Sequence, residues 1–451
     1  MTDSTWFGEY APRRGGPPPA QLASVFETEL TDIARTRFPR AFEPLVVPTA
    51  SYRELMWATE RLLQLQRKAV EHLAPTSEGR IAALKADVAD LPRMTDDEPY
   101  EIGHSGDICR ADVVVDKGGP KFVEFNVSGG VGAMLEYEIE SRIWQGVRRD
   151  AGQPEFLAPS LYNLIARLIE RTCRSLRRDP SVLLIGALAD PAKTTRYFET
   201  QITFLKQHGV SAQFQDLATL PDVIASSSGF ADVVGLIQLS EREANSCGWD
   251  LSALSAATDA GLFALPSQTA RLVDSKKVLA LLSEGLEWMS ADDAAVVDRY
   301  VPWSRIVGER RVRWNGTERD LVPLLLEEQS SFVLKGSAGY SSQEVFFGLT
   351  TPEQEWADLV HAAAESEYYI AQELVTAVRH PMQVLVDQEG TTESVLANPR
   401  ISPFCVGGVA TGCSMRFHPS GRIGPVTRPY GAYPGVLVGE AEAGSGAGNR
   451  I

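Results

Sequence analysis

Cysteine is scarce in this sequence, and the few present form no metal or disulfide pattern. The 451 residues contain five cysteines, and no two of them make a Cys-x-x-Cys pair. An odd number of scattered thiols is typical of a reduced protein, so we expect a cytoplasmic location without a disulfide framework. Cys405 and Cys413 lack a histidine at ligand spacing, and we predict a structural role for both.

Long apolar runs and an excess of basic residues are also lacking. No stretch approaches the roughly 20 apolar residues of a membrane span, so we expect no membrane partner. A net charge of -16 leaves no basic face for a nucleic acid. Any phosphate site must therefore be built locally from a few lysines, arginines and backbone amides.

The sequence is long enough to form several lobes. Hydrophobic residues make up 44% of the sequence, which predicts a globular protein of two or three lobes. The first twenty residues indicate a loosely held arm, and apolar spacing from Tyr52 to His72 predicts a helix within an N-terminal lobe, residues 1–100. The glycine, alanine and serine residues near the end predict a mobile tail, residues 441–451.

The most informative feature is a hairpin formed by the runs 109–115 and 121–127, with a Gly-Gly turn near Gly118 between them. Side chains alternate between the two faces of a strand, so one face of this hairpin should be apolar and the other polar. The residues predicted to face the core are Ala111, Val113, Val115, Val123, Phe125 and Val127.

The polar face of the hairpin predicts a magnesium site. If the turn centres near Gly118, Asp112 lies opposite Glu124 and Arg110 lies opposite Asn126. Carboxylates directly opposite each other are unfavourable on a sheet unless a cation joins them, and oxygen ligands of this kind suit Mg2+.

The alternative for this hairpin is a solvated sheet face on which Asp112 pairs with Arg110 or Lys121. A glycine-rich turn at residues 128–132 favours the magnesium site, because glycines let a backbone approach a ligand closely. A surface strand without a function needs no such turn.

Residues 181–239 predict a parallel, doubly wound layer. A buried strand at 181–186, a helix at 194–208 and a second buried strand at 232–239 follow one another at the spacing of a strand, helix and strand unit. Gly186 is not followed by a Gly-x-Gly-x-x-Gly turn, which argues against a nicotinamide site in this layer.

Residues 275–375 contain the candidate nucleotide site. A helix opens at Lys276 and Lys277, and an apolar strand ends on Lys335 before a small-residue loop at 336–342. Such a loop between antiparallel strands can fold over a triphosphate and offer its amides, although it lacks the Gly-x-x-x-x-Gly-Lys pattern of a P-loop. The strand at 368–375 ends on an acidic residue that could receive adenine and ribose.

These segments together resemble an ATP-grasp domain, in which two lysines hold the phosphates, the loop covers them and the later strand binds adenine between two lobes. The Glu-x-Asn motif precedes the lysines, so the order resembles a circularly permuted ATP-grasp. Arg-x-Asp, with Glu-x-Asn twelve residues after the aspartate, resembles the amide synthetase domain of glutathionylspermidine synthase. There the Asp, Glu and Asn bind magnesium, and the Arg lies at the carboxylate being activated.

The resemblance implies a role for each matching residue. The implied metal ligands are Asp112, Glu124 and Asn126, and the implied catalytic residues are Arg110 and Arg416. The implied nucleotide-binding residues are Lys277, Lys335, Gly336, Gly339, Ser341, Ser342, Gln372, Glu373, Leu374 and Val375. Helix phase leaves the choice between Lys276 and Lys277 open, and the family pattern slightly favours Lys277.

The likeness covers roughly residues 100–435 and has departures. Lys-Gly stands in place of the usual Lys-Pro before the loop, and the run 339–342 replaces an Arg-x-Gly core, so closure over the phosphates would differ. The amidase domain with a cysteine nucleophile, which glutathionylspermidine synthase can carry, has no counterpart.

The implied fold is α/β of the α+β kind. Its expected parts are the N-terminal lobe, the hairpin and its helices (101–178), the doubly wound layer (179–270) and the ATP-grasp lobes (271–440). The implied function is an ADP-forming carboxylate-amine ligase that uses ATP and Mg2+, forms an acyl phosphate and acts on small-molecule acids and amines. The alternatives are a nucleotide-binding partner protein without catalysis and a grasp-type small-molecule kinase.

Overall fold

The computed structural model describes residues 5–9, 16–34, 37–190, 193–226, 230, 232–339, 344–420, 424, 426 and 431–441. This part of the chain is a mixed α/β protein with 15 α-helices and 19 strands in five sheets. None of its helices is both long enough and apolar enough to cross a membrane.

The helices are α1 (Pro19–Leu30), α2 (Thr49–Leu73), α3 (Ser77–Leu84), α4 (Glu98–Gly103), α5 (Met134–Asp150), α6 (Leu161–Ser175), α7 (Thr195–Gln207), α8 (Leu220–Ser226), α9 (Glu241–Cys247), α10 (Ser252–Asp259), α11 (Thr269–Val273), α12 (Lys276–Glu284), α13 (Ala291–Tyr300), α14 (Leu321–Glu327) and α15 (Glu353–Ser366). Short 3-10 turns occur at Thr5–Phe7, Val88–Asp90, Leu217–Thr219 and Gln329–Ser331.

The strands are β1 (Arg40–Ala41), β2 (Leu45–Val47), β3 (Ile108–Asp116), β4 (Gly119–Val127), β5 (Ser181–Gly186), β6 (Ser211–Asp216), β7 (Val234–Ile237), β8 (Phe263–Leu265), β9 (Ser304–Ile306), β10 (Arg311–Trp314), β11 (Thr317–Asp320), β12 (Phe332–Gly336), β13 (Val345–Phe347), β14 (Tyr369–Glu373), β15 (His380–Leu385), β16 (Thr392–Ala397), β17 (Arg400–Val406), β18 (Val409–Phe417) and β19 (Tyr433–Gly439).

The central sheet has six strands in the order β2-β19-β18-β17-β3-β4, and the predicted hairpin forms one edge of it. The apolar residues of helix α2 recur at helical spacing, and this helix packs on one face of the sheet against β17, β18 and β19. Ala111, Val113 and Val115 lie in that core, as the alternation predicts. Helices α5 and α6 contact β17, β18 and β19 on the sheet.

The predicted doubly wound layer is a parallel sheet in the order β6-β5-β7-β8. Two helices that cover this sheet begin at a side-chain cap: Thr194 accepts from the Tyr197 amide before α7, and Ser160 accepts from the Asn163 amide before α6. Strands β5, β7 and β8 are short and almost wholly buried because helices lie on both faces, which explains their apolar runs, whereas the edge strand β6 is partly exposed.

A third sheet, β13-β12-β14-β9, is antiparallel and carries the predicted lysine strand and its return. Helices α14 and α15 pack together beside it in a separate core that includes Trp356 and Phe332. The two remaining sheets are β1-β15-β16 and β10-β11.

The N-terminal segment departs from the sequence-based expectation. Trp6 and Phe7 are buried in the same core as α2, so the prediction of a loosely held arm is wrong for these two residues. β2 pairs in parallel with β19, which makes the N-terminal part continuous with the central sheet. Residues 1–4, 10–15 and 442–451 lie outside the described part of the chain.

Candidate active site

The hairpin register places the polar pairs opposite each other. Asp112 is the partner of Glu124, and Arg110 is the partner of Asn126, as the Gly-Gly turn predicts. The amide nitrogen of Asn126 also donates to the Arg110 carbonyl at 3.3 Å, which fixes the orientation of this side chain.

A bulge next to Asp112 changes the predicted alternation. Val113 is the partner of Phe122, so Val123 is left without one, and Phe122 instead of Val123 joins the core, stacked on Phe125 with ring centroids 5.6 Å apart. The expectation that Val123 faces the core with Phe125 is therefore wrong. The Val123 carbonyl accepts a hydrogen bond from Lys335 at 3.0 Å.

Asp112 lies at the centre of an arginine cluster. Nη2 of Arg416 donates to both carboxylate oxygens at 3.0 and 3.1 Å, Nε of Arg110 lies 3.5 Å from Oδ1, and the Ser402 hydroxyl donates to Oδ1 at 2.9 Å. Burial alone would raise the pKa of Asp112, but the guanidinium groups of Arg416 and Arg110 hold it well below its usual range. Asp112 is therefore ionised at neutral pH.

Glu124 is paired with Lys276. The Lys276 ammonium lies 3.0 Å from Oε1 of Glu124 and donates to the carbonyl of Gly339 at 3.1 Å, while its own amide donates to the Ser337 carbonyl. The side chain of Lys276 is only 4% exposed. One lysine thus joins the start of α12, the hairpin and the small-residue loop.

The side chain of Lys277 lies away from the hairpin, beside the end of α3. Its ammonium donates to the carbonyl of Leu84 at 2.9 Å, at the end of α3. Consecutive helix residues point about 100° apart, so only one of the two lysines can face the hairpin. The structure places Lys276 there and Lys277 away from the carboxylates, and which of the two contacts phosphate stays a prediction.

Lys335 ends β12 beside the hairpin. Its ammonium donates to Oε1 of Gln372 at 2.7 Å as well as to the Val123 carbonyl, and the amide nitrogen of Gln372 donates in turn to the Ser304 hydroxyl. Burial lowers the pKa of Lys335 to about 7, although the charge of Glu124 opposes this shift. The lysine strand and the hairpin therefore meet at one buried amine.

The small-residue loop, and β14 with the residues after it, form backbone hydrogen bonds within their own lobe. The Gly336 amide donates to the Glu344 carbonyl, and the Gly339 amide to the Gly336 carbonyl. The amides of Glu373 and Leu374 donate to the carbonyls of Trp303 and Ser331, and Val375 follows them, half-buried. Ser341 and Ser342 lie outside the described residues.

The glycine-rich turn after β4 packs against the parallel sheet. A Cβ added to Gly129 would lie 2.0 Å from the Ile237 carbonyl oxygen, and one added to Gly130 would lie 2.7 Å from the Leu239 carbonyl carbon. These glycines are thus required for close approach to the end of β7, and their approach to a ligand stays a prediction. The turn also holds Arg110, whose Nη1 donates to the Gly132 carbonyl at 3.4 Å.

The predicted metal ligands form a set of two carboxylates and one amide. Among the residues that the structure describes, no group of three or more His, Cys, Asp or Glu side chains lies close enough to hold a metal ion. Both carboxylates are neutralised by basic side chains, so a metal ion would have to compete with Arg416 and Lys276 for their oxygens.

Comparison with known proteins bears on the fold. No protein-family model matches the chain, and no curated protein matches it in sequence. A glutathione synthetase-like effector from Globodera pallida, in its apo form, matches with a TM-score of 0.58 and 13% identity over 96% of this chain and 100% of that one. The chain therefore shares the overall fold of this effector. A protein assigned as a gamma-glutamylcysteine synthetase from Methylobacillus flagellatus KT, with a TM-score of 0.41 and 12% identity over 88% of this chain and 89% of its own, is too distant to bear on the fold.

Two residues of the site were given no role by the sequence analysis. Arg400 is the strand partner of Arg416, and its charge acts on both Asp112 and Glu124. Ser402 lies two residues further along β17 and bonds Asp112 directly. Their signal was available: in the run 400–402 a polar, an apolar and a polar residue alternate, which puts Arg400 and Ser402 on one face.

Proposed function

We propose that this protein is an ATP-dependent carboxylate-amine ligase that forms an amide through an acyl phosphate and releases ADP and phosphate. One observation carries the proposal: five basic side chains converge on the two carboxylates of a single hairpin. They are Lys276, Lys335, Arg110, Arg400 and Arg416. Such an excess of positive charge suits an anionic substrate pair, namely a nucleotide triphosphate and a carboxylate.

The lysines and the arginines would bind different parts of the two substrates. Lys335 comes directly before the small-residue loop, and Lys276 donates to the carbonyl of Gly339 within it, so both would neutralise phosphate oxygens as compact charges. Arg110, Arg400 and Arg416 lie on neighbouring strands of one rigid sheet, where planar guanidinium groups would hold the acceptor carboxylate. The separation supports a site that receives the phosphates from one lobe and the acid from the other.

The donor set fits a magnesium ion. Asp112, Glu124 and Asn126 would hold it, because two carboxylates and an amide oxygen leave positions for phosphate oxygens and water, the ligands that Mg2+ favours. When bound, the ion would neutralise negative charge on the phosphates. Asp112 is already ionised, so binding needs no loss of a proton from this group.

The proposed reaction has two displacements. A carboxylate oxygen of the acid attacks the γ-phosphorus of ATP, the bond from that phosphorus to the β-γ bridging oxygen breaks, and ADP leaves. The amine nitrogen then attacks the acyl carbon and gives up a proton, and phosphate leaves with the former carboxylate oxygen. The chain contributes position and charge, because phosphoryl transfer needs little covalent help from a protein.

A second candidate is a nucleotide-binding protein without turnover. One observation favours it: Asp112 and Glu124 are both engaged in ion pairs, and the run 339–342 replaces the Arg-x-Gly core of the family that the chain resembles. This candidate predicts that ATP binds but that no acid triggers ADP release.

Nucleotide product analysis tests the proposal. Wild type is incubated with Mg-ATP and pooled carboxylates, with and without pooled amines, and ADP, AMP and new amides are read by mass spectrometry. We expect ADP that requires an acid and rises with an amine. Acid-dependent ADP that ignores amines would indicate a kinase, AMP would exclude the acyl phosphate, and bound ATP with no product would support the second candidate.

A matched pair of variants tests the site itself. Glu124→Gln removes one predicted metal ligand and the partner of Lys276, and we expect it to abolish ADP formation. Glu155→Gln removes an exposed carboxylate that pairs only with the exposed Arg149 and should leave activity unchanged. Circular dichroism of both variants separates loss of chemistry from loss of fold.

A further inference from the structure

The buried side chain of Gln372 links Lys335 to Ser304. Gln372 is 1% exposed, and Ser304 is fully buried. Oε1 of Gln372 accepts from the Lys335 ammonium at 2.7 Å, and Nε2 of Gln372 donates to the Ser304 hydroxyl at 3.1 Å. The Ser304 hydroxyl donates in turn to the Pro302 carbonyl at 2.9 Å. A continuous line of hydrogen bonds thus runs from β12 through β14 to β9.

Strand pairing brings these three side chains to one face of the sheet β13-β12-β14-β9. Gln372 on β14 is the partner of Val333 on β12 and of Ser304 on β9. Lys335 follows Val333 by two residues, so it shares that face and is the diagonal neighbour of Gln372. Long side chains reach such diagonal neighbours. The sheet itself therefore fixes the distance between the amide and the lysine.

A second hydrogen bond decides which end of the amide meets Lys335. The Ser304 hydroxyl has one proton, which it donates to the Pro302 carbonyl, so toward Gln372 its oxygen can only accept. The amide nitrogen of Gln372 must therefore point to Ser304, and the amide oxygen must point to Lys335. The opposite orientation would place N-H donors against both neighbours.

The bulge in the hairpin supplies a second acceptor for the same lysine. It leaves Val123 without a strand partner, and the Val123 carbonyl accepts from Lys335 at 3.0 Å. An ammonium has three N-H donors, and contacts among the described residues use two of them. Glu124, the next residue of the hairpin, pairs with Lys276 instead. One donor of Lys335 is thus left for a ligand.

Both acceptors of Lys335 are uncharged, and this matters for binding an anion. A carboxylate in place of the amide would form a stronger, charge-assisted bond, and a phosphate would have to displace it. An amide and a backbone carbonyl direct the amine without supplying a countercharge. Burial lowers the pKa of Lys335 to about 7, as expected for a buried amine held by uncharged acceptors.

We propose that Gln372 and Ser304 are positioning residues for Lys335, which hold its amine in place with uncharged acceptors and so set the affinity for the triphosphate. The inference rests on the proposed function for the identity of the ligand. It assigns the Gln372 side chain a role that is exerted through Lys335 and not by contact with the nucleotide.

NMR of the lysine tests the positioning without any ligand. The protein is labelled with 13C at the lysine Cε atoms, and the Lys335 signal is identified by its loss in Lys335→Met. Gln372→Glu supplies a countercharge and should raise the pKa of Lys335, whereas Gln372→Met and Ser304→Ala weaken the acceptor and should lower it. A Lys335 titration that is the same in wild type and all three variants overturns the proposal.

A matched control is available on the sheet β1-β15-β16. Nε2 of Gln383 donates to the Ser394 hydroxyl at 2.6 Å in an exposed pair of strands, so Gln383→Met removes the same kind of amide and hydroxyl contact away from Lys335. This variant should leave the Lys335 titration unchanged. Circular dichroism of every variant shows whether the fold is kept.

Binding measurements test the consequence for the ligand. A non-hydrolysable ATP analogue and inorganic triphosphate are titrated by calorimetry in the presence of Mg2+. We expect Gln372→Glu and Gln372→Met to weaken both ligands about tenfold, as a perturbed charge-assisted bond implies, and Gln383→Met to weaken neither. Weaker binding of the analogue with unchanged binding of inorganic triphosphate would mean that Gln372 contacts adenine, and it would reject the positioning role.

This proposal and the proposed function fail separately. Acid-dependent ADP release with equal affinities in wild type and the Gln372 variants would leave the ligase standing and remove the positioning role. Triphosphate binding that depends on Gln372, with no ADP release under any condition, would retain the positioning role and reject the ligase. Wild type that binds neither the analogue nor inorganic triphosphate would reject both.

Discussion

Nζ of Lys276 lies 3.0 Å from Oε1 of Glu124, and this ion pair joins the first turn of α12 to strand β4 of the hairpin. The same ammonium also donates to the Gly339 carbonyl, so the small-residue loop, α12 and the hairpin all contact one buried charge. A triphosphate that enters this site would meet a cation already fixed in place. Fixed charge is what electrostatic catalysis requires, because it costs no reorganisation during the reaction.

The two adjacent lysines should therefore differ sharply when each is replaced by methionine. Lys276→Met removes the ammonium at Glu124, and we expect kcat/KM for ADP formation to fall about 100-fold or more. Lys277→Met removes a bond to the Leu84 carbonyl, far from the carboxylates, and should cost about 1–3 kcal/mol of stability with little change in activity. Steady-state ADP release and urea unfolding measure the two effects. The opposite ranking of activities would return the role to Lys277.

Lys335 should couple nucleotide binding to proton uptake. Burial lowers its pKa to about 7 from the usual 10.5, so at pH 8.5 the folded protein holds mostly the neutral amine. A bound triphosphate favours the ammonium and raises this pKa, which draws up to about one proton from the buffer. Calorimetric titration of an ATP analogue at pH 8.5, in buffers of different ionisation enthalpy, measures the uptake.

The lowered pKa of Lys335 also makes the free energy of unfolding depend on pH. Between about pH 7 and pH 10 the unfolded chain binds more protons at Lys335 than the folded protein does, so its contribution to the free energy of unfolding rises with pH in that window. Lys335→Met should abolish both this trend and the proton uptake, whereas Lys206→Met, at an exposed position of α7, should preserve them. Uptake that persists without Lys335 would assign it to another residue.

Removal of the carboxylate at position 112 should destabilise the fold. Asp112→Asn leaves Arg416 and Arg110 without their shared partner, and loss of one member of a buried ion pair costs about 3 kcal/mol. Because the pKa of Asp112 is depressed, its stabilisation is present above about pH 4, the value for an unfolded aspartate, and is lost as the pH falls toward the folded value. Urea unfolding at pH 7 and at pH 3 measures it, with Asp150→Asn on an exposed helix end as the control. Equal stabilities at pH 7 would show that Asp112 is not held as an ion pair.

Strand alternation and turn position predicted the contacts between site residues that lie close together in the sequence. The pairing of Asp112 with Glu124 follows from one turn and a two-residue period, and both are visible in the sequence. The bulge at Val123 was not predictable, because Phe122 and Val123 are both apolar and the pattern does not say which of them is left unpaired. Helix phase left the choice between Lys276 and Lys277 open for a similar reason, since both positions are buried.

Contacts between distant segments account for what the sequence could not reveal. Ser402 and Arg416 reach Asp112 across 290 and 304 residues, and only the strand order β18-β17-β3 brings them together. The ion pair between Arg93 and Glu241 likewise joins segments that are 148 residues apart in the sequence. Strand periodicity assigns a residue to a face, but it does not say which distant strand lies alongside.

The glycine-rich turn supplies a prediction about how the hairpin is seated on the parallel sheet. Gly129→Ala would place a Cβ 2.0 Å from the Ile237 carbonyl oxygen, a backbone atom that cannot move aside cheaply, so we expect a loss of about 2–3 kcal/mol. Gly146 offers a matched control, because it lies within α5 and an added Cβ there meets nothing within 4 Å. Gly146→Ala should raise stability by about 0.5–1 kcal/mol, since alanine favours the helix. Urea unfolding of both variants decides the matter: equal stabilities would mean that the turn does not press against β7. Because the turn also carries the Gly132 carbonyl that holds Arg110, Gly129→Ala should in addition raise KM for the acid more than KM for ATP.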